Sequence, residues 1–394
     1  MLTSLAFIFL LGMSLGAIFK KLRLPSLLGM LITGVILGPY ALNWLDGSIL
    51  SISADLRQVA LIIILTRAGL ALDIEDLVKV GRPAILMCFV PACFEIVGMV
   101  LLAPKLLGIS ILDAAIMGAV VAAVSPAVIV PKMLYLMENK YGTNKSIPQL
   151  IMAGASVDDV FVIVLFTVFT GLAQGEKVSA ISFAQIPISI ILGLIVGILL
   201  GIILALIFKK VHMRDSAKVI VLLDTSFLLV GFEHVLKGMV PFSALLSVMS
   251  MGVALQRKGP QVALRMSAKF SKLWVGAEVL LFVLVGATVD IRYAMSAGVA
   301  AILVIFGVLI FRMVGVFISM IKTKLSIKER LFCMIAYMPK ATVQAAIGSI
   351  PLTMGLPSGK IVLTVAVLAI MITAPLGAFG VDMSYKKLLT KSDA

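Results

Sequence analysis

Gly154-Ala155-Ser156-Val157-Asp158-Asp159-Val160 places two adjacent carboxylates in the middle of an apolar run from about Ile147 to Thr170. A run of that length crosses a bilayer as a helix. A charged side chain at bilayer depth costs at least about 2.5 kcal/mol on the mildest insertion scale, so two together need a compensating role. Binding a cation and protons is such a role.

The surroundings of this stretch are those of a membrane protein. The chain has 394 residues, is 61% hydrophobic and 13% charged, and has a mean hydropathy of +1.18, which is far too apolar for a soluble domain. Apolar runs bounded by charge, Gly or Pro fall at about 2–19, 24–40, 56–72, 83–103, 111–134, 147–170, 185–208, 217–232, 238–255, 273–290, 297–321, 329–354 and 359–383. Thirteen spans are therefore expected. The net charge of +14 does not indicate nucleic acid, because nearly all the cations lie in short loops. Their distribution fits the positive-inside rule. Crossing the spans in turn, one side collects 24 Lys and Arg and the other only Arg57, Lys105, Lys177, Lys237, Arg292 and Lys360, with Arg67, Arg312 and Lys340 inside spans. This predicts an outside N-terminus and a cytoplasmic C-terminus. The first run lacks a basic segment before it and carries Lys20, Lys21 and Arg23 after it, so a retained helix is expected, not a cleaved signal.

Thirteen spans divide as six, one and six, and a seven-span shift reverses direction across the membrane, which permits inverted six-helix repeats joined by a linker helix. The fifth span of each half is interrupted by proline: Ser125-Pro126 and Pro131 in one, Pro339 and Pro351 in the other. Proline removes a backbone donor and disfavours helix at the preceding residue, so both spans are expected to break. Paired broken helices at corresponding positions point to a transporter site near the bilayer midplane.

Successive helical residues are rotated by about 100 degrees, so Asp158 and Asp159 cannot face the same partner. One can ligate an ion while the other turns to a fixed positive charge, for which Lys340 in Tyr337-Met338-Pro339-Lys340-Ala341-Thr342-Val343-Gln344 is the candidate. It lies too deep to snorkel and follows the proline where the carbonyl end of a half-helix needs a cation. Asp158, Asp159 and Lys340 sum to minus one, which suits a monovalent cation that protonation would expel. A second membrane-embedded pair, Glu95 with Arg312, is expected from the cost of leaving either alone. Cys88, Cys93 and Cys333 sit in apolar runs without metal or disulfide spacing and read as core residues, and Asp224 and Glu278 receive no role. His212 and His234 lie at span ends with no nucleophile motif nearby, so neither an enzyme nor a cofactor is expected.

Gly154 to Asp159, Ser125-Pro126-Ala127-Val128, Pro339 to Ala346 and the Leu28-Gly29 to Gly38-Pro39 run together resemble monovalent cation:proton antiporters of the NhaA fold. They are most similar to the double-aspartate branch that includes sodium/hydrogen exchangers of bacteria and animals. The resemblance implies an all-α polytopic fold with two crossing broken helices, and a homodimer with scaffold helices in 1–55 and 185–256 and a core in 56–184 and 257–394. It also implies Na⁺ or Li⁺ at Asp159, Asp158 paired with Lys340, and Ser125 and Ser156 as auxiliary ligands. It likens Glu95 and Arg312 to the extra buried pair of the animal-type subgroup. The expected activity is exchange of Na⁺ or Li⁺ for protons across a plasma membrane. The alternatives are sodium-coupled symport of an organic anion and, disfavoured by the lack of a filter-like loop, a cation channel.

Overall fold

A computed structural model describes residues 1–22, 24–71, 81–174, 180–236 and 242–392; within them the side chains at 156, 160, 180–187, 190, 234 and 291–297 are not described. Arg23, Lys79, Lys177 and Lys237 of the charge pattern, and the side chains of Ser156, His234 and Arg292, thus lie outside the described residues.

The regular structure of the described residues is helical, with loops between the helices and one isolated bridge between Tyr141 and Lys391. The helices are α1 (Leu2–Lys21), α2 (Ser26–Leu37), α3 (Gly47–Ser51), α4 (Ser53–Ala71), α5 (Arg82–Met87), α6 (Val90–Leu107), α7 (Ile111–Val121), α8 (Pro126–Glu138) and α9 (Ile147–Ala173). There follow α10 (Ala180–Lys210), α11 (Asp215–Leu236), α12 (Ala244–Lys258), α13 (Pro260–Ala287), α14 (Ile291–Ser319), α15 (Ile327–Ala336), α16 (Thr342–Ile347), α17 (Ile350–Thr353) and α18 (Gly359–Leu388). Among the described residues, eight helical segments are long and apolar enough to cross a membrane, counting α5 with α6 and α7 with α8 as single segments. The all-helical membrane fold expected from the sequence is therefore present at this coarser level.

Local sequence sets the helix ends that matter for the site. Ser110 caps α7 by accepting from the Asp113 N–H, and Gly108 before it adopts the left-handed conformation at φ +66° that ends α6. Ser326 and Glu329 form a reciprocal capping box at the start of α15. Each of the two spans predicted to break does so at one of its two named prolines, Pro126 and Pro339, whereas Pro131 lies inside the continuous α8 and Pro351 sits in the first turn of α17. α7 stops at Val121, residues 122–125 are non-helical, and Pro126 opens α8, where its missing N–H costs nothing. α15 stops at Ala336, residues 337–341 leave the helix around Pro339, and α16 begins at Thr342.

Compactness divides the chain into two units. The first comprises Met1–Ala54, Asp76–Ala173 and Val279–Ala394 and contains both broken helices. Within it, α8, α9, α14, α15 and α18 enclose a core that includes Ile129, Met133, Ile151, Ala155, Val316, Phe332, Tyr337 and Val381, all buried. Burial of such side chains, at roughly 25 cal/mol per Å², fixes these helices against one another. One contact requires glycine: a Cβ on Gly154 would stand 2.0 Å from the Tyr337 hydroxyl oxygen, so the helix of the aspartates can approach Tyr337 only without a side chain there. The end of the chain is strapped onto the α8–α9 connection. Gly142 N–H donates to the Thr390 carbonyl at 2.9 Å, Ser392 N–H donates to the Lys140 carbonyl at 2.8 Å, and Leu389 is buried in the same core.

The second unit comprises Asp55–Glu75 and Gln174–Glu278. Its α10 and α12 pack closely, with the Ser247 hydroxyl donating to the Gly193 carbonyl at 2.8 Å. Arg67 and Glu278 are half-buried there, and Asp224 is exposed.

Candidate ion-binding site

The two non-helical breaks cross. Ser125 N–H, one residue before Pro126, donates to the Pro339 carbonyl at 2.8 Å, so the extended segments of the two broken helices are bonded back to back. Breaking two helices in an apolar interior exposes carbonyls at the C-terminal ends of α7 and α15, each a focus of partial negative charge that needs a donor.

Arg312, from the C-terminal half of α14 and 1% exposed, answers both ends. Its Nε–H donates to the Tyr337 carbonyl at 2.7 Å, and its Nη1 donates to the Ala122 carbonyl. The same guanidinium bonds two carboxylates: Nη1 reaches Glu95 Oε2 at 2.7 Å and Nη2 reaches Asp158 Oδ2 at 2.9 Å. Asp158 Oδ2 also accepts the Val124 N–H at 2.9 Å, which ties the aspartate helix to the break. Lys340 Nζ donates to Glu95 Oε2 at 2.6 Å, and its backbone N–H donates to the Thr373 hydroxyl of α18 at 2.9 Å. Asp158, Arg312, Glu95 and Lys340 thus form one continuous buried chain of charges.

The expected Glu95–Arg312 pair is present, but the expected pairing of Asp158 with Lys340 is corrected. Lys340 is bonded to Glu95, and Arg312 takes Asp158. The physical reason is the shape of the two cations. A planar guanidinium with five N–H donors can serve two carboxylates and two helix ends together, whereas an ammonium is a compact point charge.

Asp159 differs from its neighbour. It is 6% exposed, and its Oδ1 is buried without a hydrogen-bond partner among the described residues. Ser125 Oγ, Thr342 Oγ1, Gln344 Oε1, Glu95 Oε1 and Asp158 Oδ1 are likewise buried and unpartnered. Two of these belong to side chains the sequence reading left without a role. Thr342 and Gln344 lie on α16 immediately after the break; the signals for them were their polarity within an apolar span and their place in the Pro339 to Ala346 stretch, neither of which assigns them a role. The unmatched atoms are all oxygens, hard donors that suit an alkali cation.

Crossed broken helices, carboxylates at the crossing and unwound backbone beside them define an ion-coupled secondary transporter of the membrane. The family model for the sodium/hydrogen exchanger, transmembrane, matches residues 5–383. The chain belongs to the sodium/hydrogen exchanger family. It is 33% identical over 392 residues to sodium/hydrogen exchanger 9B2 of Homo sapiens, covering 93% of this chain and 70% of that protein. It is 31% identical over 388 residues to sodium/hydrogen exchanger 9B2 of Mus musculus, covering 94% and 69%. The sodium proton antiporter MjNhaP1 from Methanocaldococcus jannaschii has the same fold, with a TM-score of 0.86 at 21% identity over 98% of each chain.

Proposed function

We propose that this chain is a secondary active antiporter that exchanges Na⁺ for protons. The observation that carries the reading is Asp159, a nearly fully buried carboxylate whose Oδ1 has no partner, next to an aspartate that is fixed by Arg312. An isolated buried carboxylate must be neutralised, and a proton and a monovalent cation are alternative ways of doing so. Because both use the same oxygens, only one is carried at a time, which couples their movements in opposite directions.

In this reading Asp159 is the principal ligand of Na⁺ or Li⁺, Ser125 and Ser156 add hydroxyl oxygens, and Asp158 is held as part of the Arg312–Glu95–Lys340 network. No cofactor takes part. Thirteen spans, the eight long apolar segments plus the shorter or less apolar helices between them, carry the N-terminus outside and the C-terminus in the cytoplasm of a plasma membrane. Two copies of the chain form a homodimer, with 1–55 and 185–256 as scaffold and 56–184 with 257–394 as the core that alternates access. Sodium-coupled uptake of an organic anion is not favoured, because the two buried cations at the crossing, Arg312 and Lys340, are bonded to Asp158 and Glu95 and so are not free to hold an anion.

The test is an inverted-vesicle assay with an acid interior. Addition of Na⁺ or Li⁺ is expected to dissipate the pH gradient, and Asp159→Asn to abolish the response. Full activity of Asp159→Asn would overturn the assignment.

A further inference from the structure

Gln344 is 1% exposed, and both hydrogens of its amide nitrogen are committed: Nε2 donates to the Val121 carbonyl at 3.1 Å and to the Ala123 carbonyl at 3.0 Å. These carbonyls belong to the end of α7, where the break removes their helical donors. The amide cannot be turned over, since Oε1 would then face two carbonyl oxygens. Its orientation is therefore fixed, and Oε1 is left buried with no donor. The two buried cations of the crossing bond other acceptors. Arg312 serves Glu95, Asp158 and two carbonyls, and Lys340 serves Glu95.

The same stretch of backbone links Gln344 to the aspartate helix. Gln344 bonds the carbonyls of Val121, the last residue of α7, and Ala123 in the break, and the next residue, Val124, bonds Asp158. An oxygen that is oriented, buried, neutral and short of a positive partner is what a dehydrated cation requires of a ligand.

We propose that Gln344 Oε1 is a neutral ligand of the transported cation, contributed by the second broken helix opposite Asp159. This rests on the antiport reading and adds a distinction between the two cargoes. A carboxylate binds either a cation or a proton, whereas an amide carbonyl binds the cation and holds no proton at ordinary pH. Gln344 therefore raises affinity for Na⁺ without raising affinity for the competing proton.

The test uses the full chain with Gln344→Met, which deletes the oxygen and the amide donors, and Gln344→Glu, which keeps an oxygen ligand while weakening the cap. Two quantities are read: the Na⁺ concentration giving half-maximal dissipation of the pH gradient, and the melting temperature of the purified protein with and without Na⁺. In Gln344→Met the half-maximal Na⁺ concentration is expected to rise about tenfold, the order lost when a group around a bound metal is removed, and the thermal shift produced by Na⁺ to need correspondingly more ion. In Gln344→Glu the half-maximal concentration stays at or below the wild-type value. A pure capping role predicts lower melting temperatures in both variants with no change in the Na⁺ requirement, and that result overturns the proposal. If Gln344→Met does not reach the membrane, Gln344→His keeps one N–H for the end of α7, presents no carbonyl oxygen, and is read in the same way. Failure of the wild type itself to respond to Na⁺ would refute the antiport reading. A normal wild type with unmoved Gln344 variants refutes only this proposal.

Discussion

The two cations of the buried network should differ sharply in what their removal costs. Arg312→Met strips Asp158 of its only charged partner among the described residues, leaves Glu95 with Lys340, and unpairs the Ala122 and Tyr337 carbonyls. Two charge-assisted bonds at about 1.5–3 kcal/mol each and two stranded carbonyls at about 1–3 kcal/mol each put the loss at about 5 kcal/mol or more. That equals or exceeds the usual cost of breaking a buried ion pair and is comparable to the whole stability of many domains. Lys340→Met removes one charge-assisted bond while Glu95 keeps Arg312, so its loss is about 1.5–3 kcal/mol. The assay is thermal unfolding of detergent-purified protein, with Arg312→Lys as an intermediate that keeps the charge but cannot reproduce the fork. Adding Asp158→Asn to Arg312→Met should recover part of the loss, because the carboxylate left stranded is then neutral. Equal destabilisation by Lys340→Met and Arg312→Met, or strict additivity in the double variant, would refute the assignment of Arg312 as the hub.

Gly154→Ala is expected to destabilise by about 1–3 kcal/mol, the usual cost of overpacking, since the new methyl would stand 2.0 Å from the Tyr337 hydroxyl; melting temperature checks it. Thr342→Val deletes an unpartnered buried hydroxyl oxygen without changing shape, so the melting temperature in Na⁺-free buffer should be unchanged or higher. Truncation after Leu388 removes the backbone bonds of Thr390 and Ser392 and the buried Leu389, and is expected to speed proteolytic cleavage at residues 139–146. Exchange by the wild type should be insensitive to a membrane potential imposed with potassium and valinomycin, because the cation-loaded and protonated forms carry the same charge.

Much of this architecture could be read from the residues. Pro126 and Pro339 located both breaks, because proline acts locally through its missing N–H and through the residue before it. The expense of Glu95 and Arg312 inside the membrane was enough to pair them. The partner of Asp158 was not legible. Choosing between Arg312 and Lys340 depends on which side chain reaches the crossing from α14 or from the break, and that is a matter of tertiary geometry. Gln344 was invisible for a related reason. An isolated glutamine in an apolar span is compatible with many partners, and its commitment to the Val121 and Ala123 carbonyls appears only once α7 and α16 meet.

The change of partner alters where the site's charge resides. With Asp158 paired to Lys340, the charges of the transport site and of the Glu95–Arg312 pair would form separate groups. In the observed chain, two carboxylates and two cations neutralise one another as a unit and simultaneously hold the ends of both broken helices. The remaining negative charge belongs to Asp159, which can take up a cation or a proton without disturbing the bonds that keep the crossing intact. A group outside the network can exchange its partner during a cycle at little structural cost. A group inside it cannot, because every bond Arg312 gives up also releases a carbonyl or a carboxylate into the apolar interior. The adjacency of the two aspartates thus sets a mobile charge directly beside a fixed one, so that the fixed charge keeps the site assembled while the mobile one turns over.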